Sequence, residues 1–180
     1  MEILRTIIFL LFSFAVISLI WARFNFFEVK SKASKKVSYI NDPTVLVMLC
    51  VTYWSLLNKT IGFTEGVVSV IIYFLGVSLF WWSLLTAKKL NFANSPREGE
   101  LITSGPYRFV RHPFYLSYLM VWFGCLIFIQ SWVIVIGFSI LAAIYVFSAV
   151  NEERMIMSGL RGADYKEYRS RVSMFIPFFV

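Results

Sequence analysis

Between Pro113 and Val150 the chain runs 38 residues without one charged side chain. As a single helix that run would reach about 57 Å, nearly twice the hydrocarbon thickness of a bilayer. It therefore has to turn back on itself. Gln130-Ser131 is its most polar point and divides it into Pro113–Gln130 and Ser131–Val150. Pro113 suits the first turn of a helix, where its missing N–H costs nothing. These residues predict a tight helical hairpin whose two ends emerge on the same side of a membrane.

Three further stretches lack charge: Thr6–Ala22 (17 residues), Pro43–Leu57 (15) and Gly66–Ala87 (22). With the hairpin they make up just over half of the 180 residues. Charged residues are 15% of the chain, where an ordinary soluble domain has about 25%. That composition excludes a water-soluble globule and a disordered chain. Asp42-Pro43 predicts a helix start, with Asp42 as N-cap. The fold expected is an all-α integral membrane domain of five transmembrane helices, with a C-terminal helical hairpin and a cytosolic amphipathic tail. It forms a single unit over 1–180, made of an N-terminal helical pair at 1–65 and a core at 66–180.

The net charge of +7 could suggest nucleic acid, but its distribution follows a membrane instead. With five spans, Arg23, Lys30, Lys32, Lys35 and Lys36 share one side with Lys88, Lys89, Arg97, Arg108 and Arg111. Arg154, Arg161, Lys166, Arg169 and Arg171 join them there. Arg5 and Lys59 alone remain on the other side. The positive-inside rule then sets the N-terminus outside and the tail in the cytosol. The membrane would be the plasma membrane of a prokaryote or the endoplasmic reticulum of a eukaryote. Glu2 and Arg5 make a weak leader start and Trp21-Ala22-Arg23 a poor cleavage site, so the first segment reads as a retained span. Cys50 and Cys125 lie in apolar runs and predict lipid- or core-buried thiols rather than a disulfide scaffold. One histidine excludes a His-rich metal site. Gly62 and Gly66 read as a turn.

The polar residues concentrate in two segments on either side of the hairpin. One runs from Arg97 through Gly105-Pro106-Tyr107-Arg108 to Arg111-His112-Pro113-Phe114-Tyr115. The other runs from Asn151-Glu152-Glu153-Arg154 to Tyr165, Tyr168, Arg169 and Arg171. A hairpin starts and ends on one side, so His112 and Glu152/Glu153 must emerge together at the membrane surface. Arg108, Arg111 and His112 offer donors for a carboxylate or phosphate. Glu152 and Glu153 can accept from an amine or ribose hydroxyls. Tyr107, Tyr115, Tyr165 and Tyr168 supply aromatic faces that attract an onium centre. S-adenosylmethionine carries all the matching groups, and a nucleotide cofactor fits as well. No G-x-G-x-x-G and no P-loop is present.

Together these residues resemble the isoprenylcysteine carboxyl methyltransferase family, and the phospholipid N-methyltransferases share the signature. It consists of Gly105-Pro106-Tyr107-Arg108, Arg111-His112-Pro113-Phe114-Tyr115, Glu152-Glu153, Gly162-x-x-Tyr165-x-x-Tyr168 and Pro177. The resemblance covers roughly residues 70–180. It implies an integral-membrane methyltransferase whose cofactor, S-adenosylmethionine, sits in a cytosolic pocket of the 66–180 core. The acceptor it implies is a membrane lipid or prenylated small molecule that arrives through a gap between helices. By this likeness Tyr107, Arg108, His112, Tyr115, Glu152, Glu153, Tyr165 and Tyr168 bind the cofactor, and Glu153 and Arg111 carry the catalytic role.

Two positions depart from the family pattern. Ser117 stands where the family often has Gly. Tyr145–Val150 holds no cation, whereas members that methylate a prenylcysteine carboxylate carry an arginine there. An anionic acceptor at that depth needs a paired charge, so an amine, thiol or phenol acceptor competes with a carboxylate. Two other classes remain: an NADPH-dependent enzyme of the sterol-reductase type, whose members share an Arg-His-Pro-x-Tyr, and a non-catalytic membrane scaffold.

Overall fold

A computed structural model of the protein describes residues 2–25, 32–89 and 101–177, with the backbone alone at 32–36 and 88–89. The described residues form six α-helices: α1 (Glu2–Asn25), α2 (Lys32–Asn58), α3 (Phe63–Lys89), α4 (Pro113–Ile129), α5 (Trp132–Met157) and α6 (Gly162–Arg169). A 3₁₀ turn spans Gly105–Arg108. Lys30 and Arg97, assigned to the basic loops, lie outside the described residues.

Glu2–Asn25, Val37–Asn58, Phe63–Ala87 and Trp132–Met157 are each long and apolar enough to cross a bilayer. Pro113–Ile129 is equally apolar but 17 residues long, about 25 Å. Large apolar side chains stand exposed along the helices, among them Leu10, Ile17, Trp54, Phe74 and Ile136. In water so much bare apolar surface would drive aggregation, whereas in lipid it is the ordinary helix exterior. The protein is a multi-pass, all-helical membrane protein.

The expected helix start at Asp42-Pro43 is wrong. Helix α2 begins at Lys32 and carries Pro43 in its interior. Asp42 does not cap it. Its carboxylate takes a two-pronged bond from Arg23, Nη1 to Oδ1 at 2.7 Å and Nη2 to Oδ2 at 2.8 Å. A proline inside a helix loses one backbone bond, a cost membrane proteins tolerate where neighbouring groups compensate. Thr44 Oγ1 bonds the Ile40 carbonyl at 2.7 Å beside that gap. The hairpin turns where its polarity indicated, through Gln130 and Ser131 between α4 and α5, with Gln130 in the left-handed region (φ +50°).

The chain forms two compact units. The first comprises Met1–Val77 and Leu119–Ile144. Its core gathers on one stripe of α1, where Ile8, Phe12, Ala15, Ser18 and Ala22 recur at helical spacing. Phe12 packs against Tyr53, Tyr73 and Trp122 at ring distances of 5.4, 5.8 and 6.1 Å. Tyr73 and Cys125 share a buried hydrogen bond of 3.1 Å, and Ser69 donates to the Gly124 carbonyl at 3.1 Å. A side chain at Gly124 would collide with the Tyr73 ring, and one at Gly66 with Leu4. Lys59 Nζ bonds the Ile129 carbonyl at 3.2 Å, so the α2–α3 and α4–α5 turns lie at one end of this unit.

The second unit comprises Ser78–Tyr118 and Tyr145–Val180. Phe80 anchors it, 5.7 Å from Phe114 and 6.2 Å from Tyr118. Trp82 meets Phe109 at 6.2 Å. Every residue of the two polar segments that the structure describes belongs to this unit.

Candidate active site

The site is built on a backbone path that few residue types could follow. Gly105 opens the 3₁₀ turn with φ +58°, a conformation costly for any residue with a side chain. A Cβ at Gly105 would also come within 2.6 Å of Thr86 Oγ1. Beyond the turn the chain extends, and Val110 pairs with Ser173 in a parallel bridge. Arg111 N–H donates to the Ser173 carbonyl at 2.8 Å and His112 N–H to the Met174 carbonyl at 3.2 Å. The tail is thereby stitched against Arg111-His112, and Pro113 starts α4 immediately afterwards.

Glu153, near the end of α5, stands at the centre. It is 2% exposed, and a carboxylate so deeply buried must be paired. Arg111 Nε reaches its Oε1 at 2.7 Å, and His112 Nε2 reaches the same oxygen at 3.1 Å. Arg169 Nε, on α6, takes Oε2 at 3.4 Å. Arg111 Nη1 also donates to the carbonyls of Arg169, at 3.2 Å, and Val172. One guanidinium therefore ties α5 to the tail. Burial holds the His112 imidazole below its ordinary pKa, against the pull of the Glu153 carboxylate. His112 is thus neutral near pH 7.

Glu152 differs from its neighbour. Its side chain is 42% exposed, and its Oε2 lies 3.8 Å from His112 Nδ1, beyond hydrogen-bond range. The Tyr115 hydroxyl lies beside it. The Tyr115 ring lies 5.7 Å from His112 and stacks on Tyr145 at 5.8 Å. Tyr118 closes this aromatic group at 5.7 Å from Tyr145. From the tail, Phe175 covers His112 at 6.0 Å.

Tyr165 and Tyr168 on α6 are both buried, with rings 5.8 Å apart. The Tyr168 hydroxyl donates to the Tyr107 carbonyl at 2.5 Å. Burial pushes the hydroxyls of Tyr107, Tyr165 and Tyr168 far above the usual phenol range, so all three remain neutral donors. Helix α6 ends at Arg169, and its two tyrosines are buried against protein.

The structure brings together Arg111, His112, Tyr115, Glu152 and Glu153, with Tyr165 and Tyr168 on the α6 side. Arg108 stands apart from the Glu153 cluster. It is exposed, its guanidinium lies over the Phe109 ring at 5.3 Å, and it lines a cleft of about 280 Å³ with Asp164, Tyr168 and Arg171. Sequence reasoning missed Arg169 as a partner of Glu153, and missed Tyr118 and Tyr145. The tyrosines had a signal: Tyr118 is one turn beyond Tyr115, and Tyr145 is two turns before Glu152. Arg169 had none, because only the fold of the tail brings it back to α5.

The unit offers carboxylate and imidazole acceptors, neutral phenols and stacked rings. Ser173 Oγ adds a buried hydroxyl without a hydrogen-bond partner. Among the described residues no cluster of His, Cys, Asp and Glu could hold a metal ion.

Comparison with known proteins finds relatives among methyltransferases. The chain is 23% identical over 162 residues to a methanethiol S-methyltransferase of Crocosphaera subtropica, covering 82% of this chain and 62% of that protein. It is 32% identical over 72 residues to methanethiol S-methyltransferase 1 of Bradyrhizobium diazoefficiens, covering 40% of this chain and 24% of that protein. The chain thus spans less than two thirds of either relative. The phospholipid methyltransferase family matches residues 66–160, more than half of the chain, from the start of the third apolar stretch through the acidic pair. The protein belongs to the phospholipid methyltransferase family of membrane proteins.

Proposed function

We propose that the protein is an S-adenosylmethionine-dependent methyltransferase acting on a lipid-like acceptor, with the 66–180 region as its core. The reading rests on one observation: Arg111, His112, Tyr115, Glu152 and Glu153 converge within a single compact unit with the α6 tyrosines. The cofactor would supply a methyl group already activated on a sulfonium. The protein's task is then alignment and exclusion of water more than acid–base power. Fixing the two reactants in line can supply about 7–11 kcal/mol of a barrier.

In this reading His112, Tyr115 and Glu152 hold the cofactor, with Tyr107 and Arg108 beside them, and Tyr165 and Tyr168 shut it in from the tail. Arg111 and Glu153 set the framework on which the others stand. The apolar helix surfaces offer a lipid-borne acceptor a water-poor approach, which strengthens the local electrostatics. We take Pro113–Ile129 as a fifth span and orient the N-terminus outward and the tail toward the cytosol. The grouping of Arg5 and Lys59 opposite the other basic residues supports this orientation.

A second reading of the acceptor, a small thiol, is favoured by the names of both relatives and by the absence of a cation in Tyr145–Val150. The experiment is calorimetric titration of the detergent-purified protein with S-adenosylhomocysteine, followed by labelled methyl transfer to ethanolamine lipid, prenylcysteine and methanethiol. Saturable binding, lost in His112→Ala, is expected. NADPH binding without S-adenosylhomocysteine binding would make the protein a reductase-type enzyme, and binding of neither would make it a scaffold.

A further inference from the structure

Arg108 is left over by the site described above. Arg111, three residues on, is engaged by Glu153 and the tail carbonyls, whereas Arg108 makes no ion pair among the described residues. Its guanidinium lies over the Phe109 ring at 5.3 Å, and that ring meets Trp82 at 6.2 Å. Stacking on an aromatic face fixes the plane of a guanidinium and leaves its edge donors free for a two-pronged bond to an anion.

Trp82 and Phe109 set the depth of this group. Both rings are exposed, and Trp82 lies near the end of Phe63–Ala87, a stretch able to cross a bilayer. Exposed aromatic rings at the end of a span sit at the level of the lipid headgroups. The guanidinium beside them is therefore at the depth of lipid phosphates, where basic side chains attract anionic lipid.

Arg108 also lines the cleft of about 280 Å³, together with Thr103, Asp164, Tyr168 and Arg171. That space suits a headgroup rather than a whole lipid, since pockets for larger ligands run from about 300 to 1,000 Å³. Arg171 is already paired with Glu167 at 2.5 Å in an exposed bridge, so Arg108 is the principal cation of the cleft. Thr103 adds an exposed hydroxyl that can donate. Asp164 makes no ion pair among the described residues. Its carboxylate repels a multiply charged anion and accepts from an O–H or N–H. The lining thus calls for one negative charge and one hydrogen-bond donor, which a phosphodiester headgroup bearing a hydroxyl carries together.

We propose that Arg108, stacked on Phe109, forms with Thr103 and Asp164 a headgroup site for an anionic phospholipid, bound as a lipid distinct from the methyl acceptor. Arg108 binds the phosphate and Asp164 accepts from the headgroup hydroxyl, while Trp82 and Phe109 meet the start of the acyl chains. The site stands without the methyltransferase reading, and the orientation proposed above puts it in the cytosolic leaflet.

The test uses the full chain purified in detergent and native mass spectrometry, which counts bound lipids. The probes are phosphatidylglycerol, diacylglycerol with the same chains, and phosphatidylcholine, whose headgroup has no O–H or N–H. Wild type is expected to bind one phosphatidylglycerol about tenfold or more tighter than diacylglycerol, the range of hydrogen bonds to a charged group. It also prefers phosphatidylglycerol to phosphatidylcholine. Arg108→Gln abolishes the first preference, Phe109→Leu reduces it, and Asp164→Asn removes only the second. Arg161→Gln, which removes the same charge outside the cleft, changes neither. Melting temperatures show that each variant is folded. If Arg108→Gln does not fold, Arg108→Lys is read in its place, since it keeps the charge and loses the fork. No preference for phosphatidylglycerol over diacylglycerol in wild type overturns the site, as does a preference that survives Arg108→Gln or falls equally in Arg161→Gln. Glycerol phosphate that displaces the lipid at equal concentration overturns the lipid source and makes a soluble phosphate compound the ligand. Loss of S-adenosylhomocysteine binding in Arg108→Gln with lipid binding intact assigns the residue to the cofactor and overturns the proposal as well.

Discussion

Arg111 and Glu153, 42 residues apart in sequence, meet at 2.7 Å in an ion pair whose side chains are only 7% and 3% exposed. Buried pairs of this kind do not guarantee net stability, but breaking one leaves a charge stranded. Arg111→Ala strands Glu153 and frees the Arg169 and Val172 carbonyls. It is expected to destabilise the protein by about 3 kcal/mol, with Arg169 limiting the loss. Thermal melts in detergent measure this, and a melting temperature equal to wild type would mean that the pair is dispensable.

His112 imposes a pH dependence of definite sign. Burial lowers its folded-state pKa, with Glu153 opposing. Above the ordinary histidine value of about 6.5, both folded and unfolded chains hold it neutral, and it contributes no slope. Below that value the unfolded chain gains a proton that the folded chain resists, so stability falls with pH. The melting-temperature difference between wild type and His112→Gln is expected to be flat above pH 7 and to move against the wild type toward pH 5. A difference constant across both ranges would contradict a buried neutral imidazole.

Tyr168→Phe removes one hydroxyl and leaves the Tyr107 carbonyl without its donor. The expected loss is about 1 kcal/mol of stability, with ligand affinity falling through loosening of the tail. Melting and titration on the same sample separate the two effects.

Gly105→Ala forces a side chain into a left-handed conformation and against Thr86. A cost of about 1–2 kcal/mol is expected from the backbone alone. Adding Thr86→Ala should recover the contact part and leave the backbone part. Full recovery would mean that the conformation carries no strain.

Gln130 occupies the same region of conformational space at the hairpin turn. Gln130→Gly is expected to raise stability by up to about 1 kcal/mol, and Gln130→Val to lower it. Paired melts of the two variants read the sign directly.

Much of the fold was legible because a bilayer leaves few choices. A charge-free run of 38 residues must turn back, and Gln130-Ser131 was the one polar place to do so. The encounter of His112 with the acidic pair followed from that hairpin alone. Helix α2 was misread because Pro43 resembles a helix start, and no local signal showed that Asp42 was already engaged by Arg23. Arg108 was grouped with Arg111 by proximity in sequence. Three residues of turn and extended chain are enough to aim one outward and the other inward.

The sequence by itself determined the apolar surroundings this protein folds in, the position of its hairpin turn and the two segments in which its chemistry-bearing residues gather. Those properties depend on hydropathy and charge counted along the chain. Only the tertiary structure decided which glutamate is sealed and which is open, because that depends on where α6 and the tail return. Arg169 reaches Glu153 across sixteen residues of turn and helix, and Ser173 and Met174 pair with Arg111 and His112 by backbone bonds that no side-chain pattern encodes. Burial, and with it the protonation and role of each acidic group, is a property of that assembled neighbourhood.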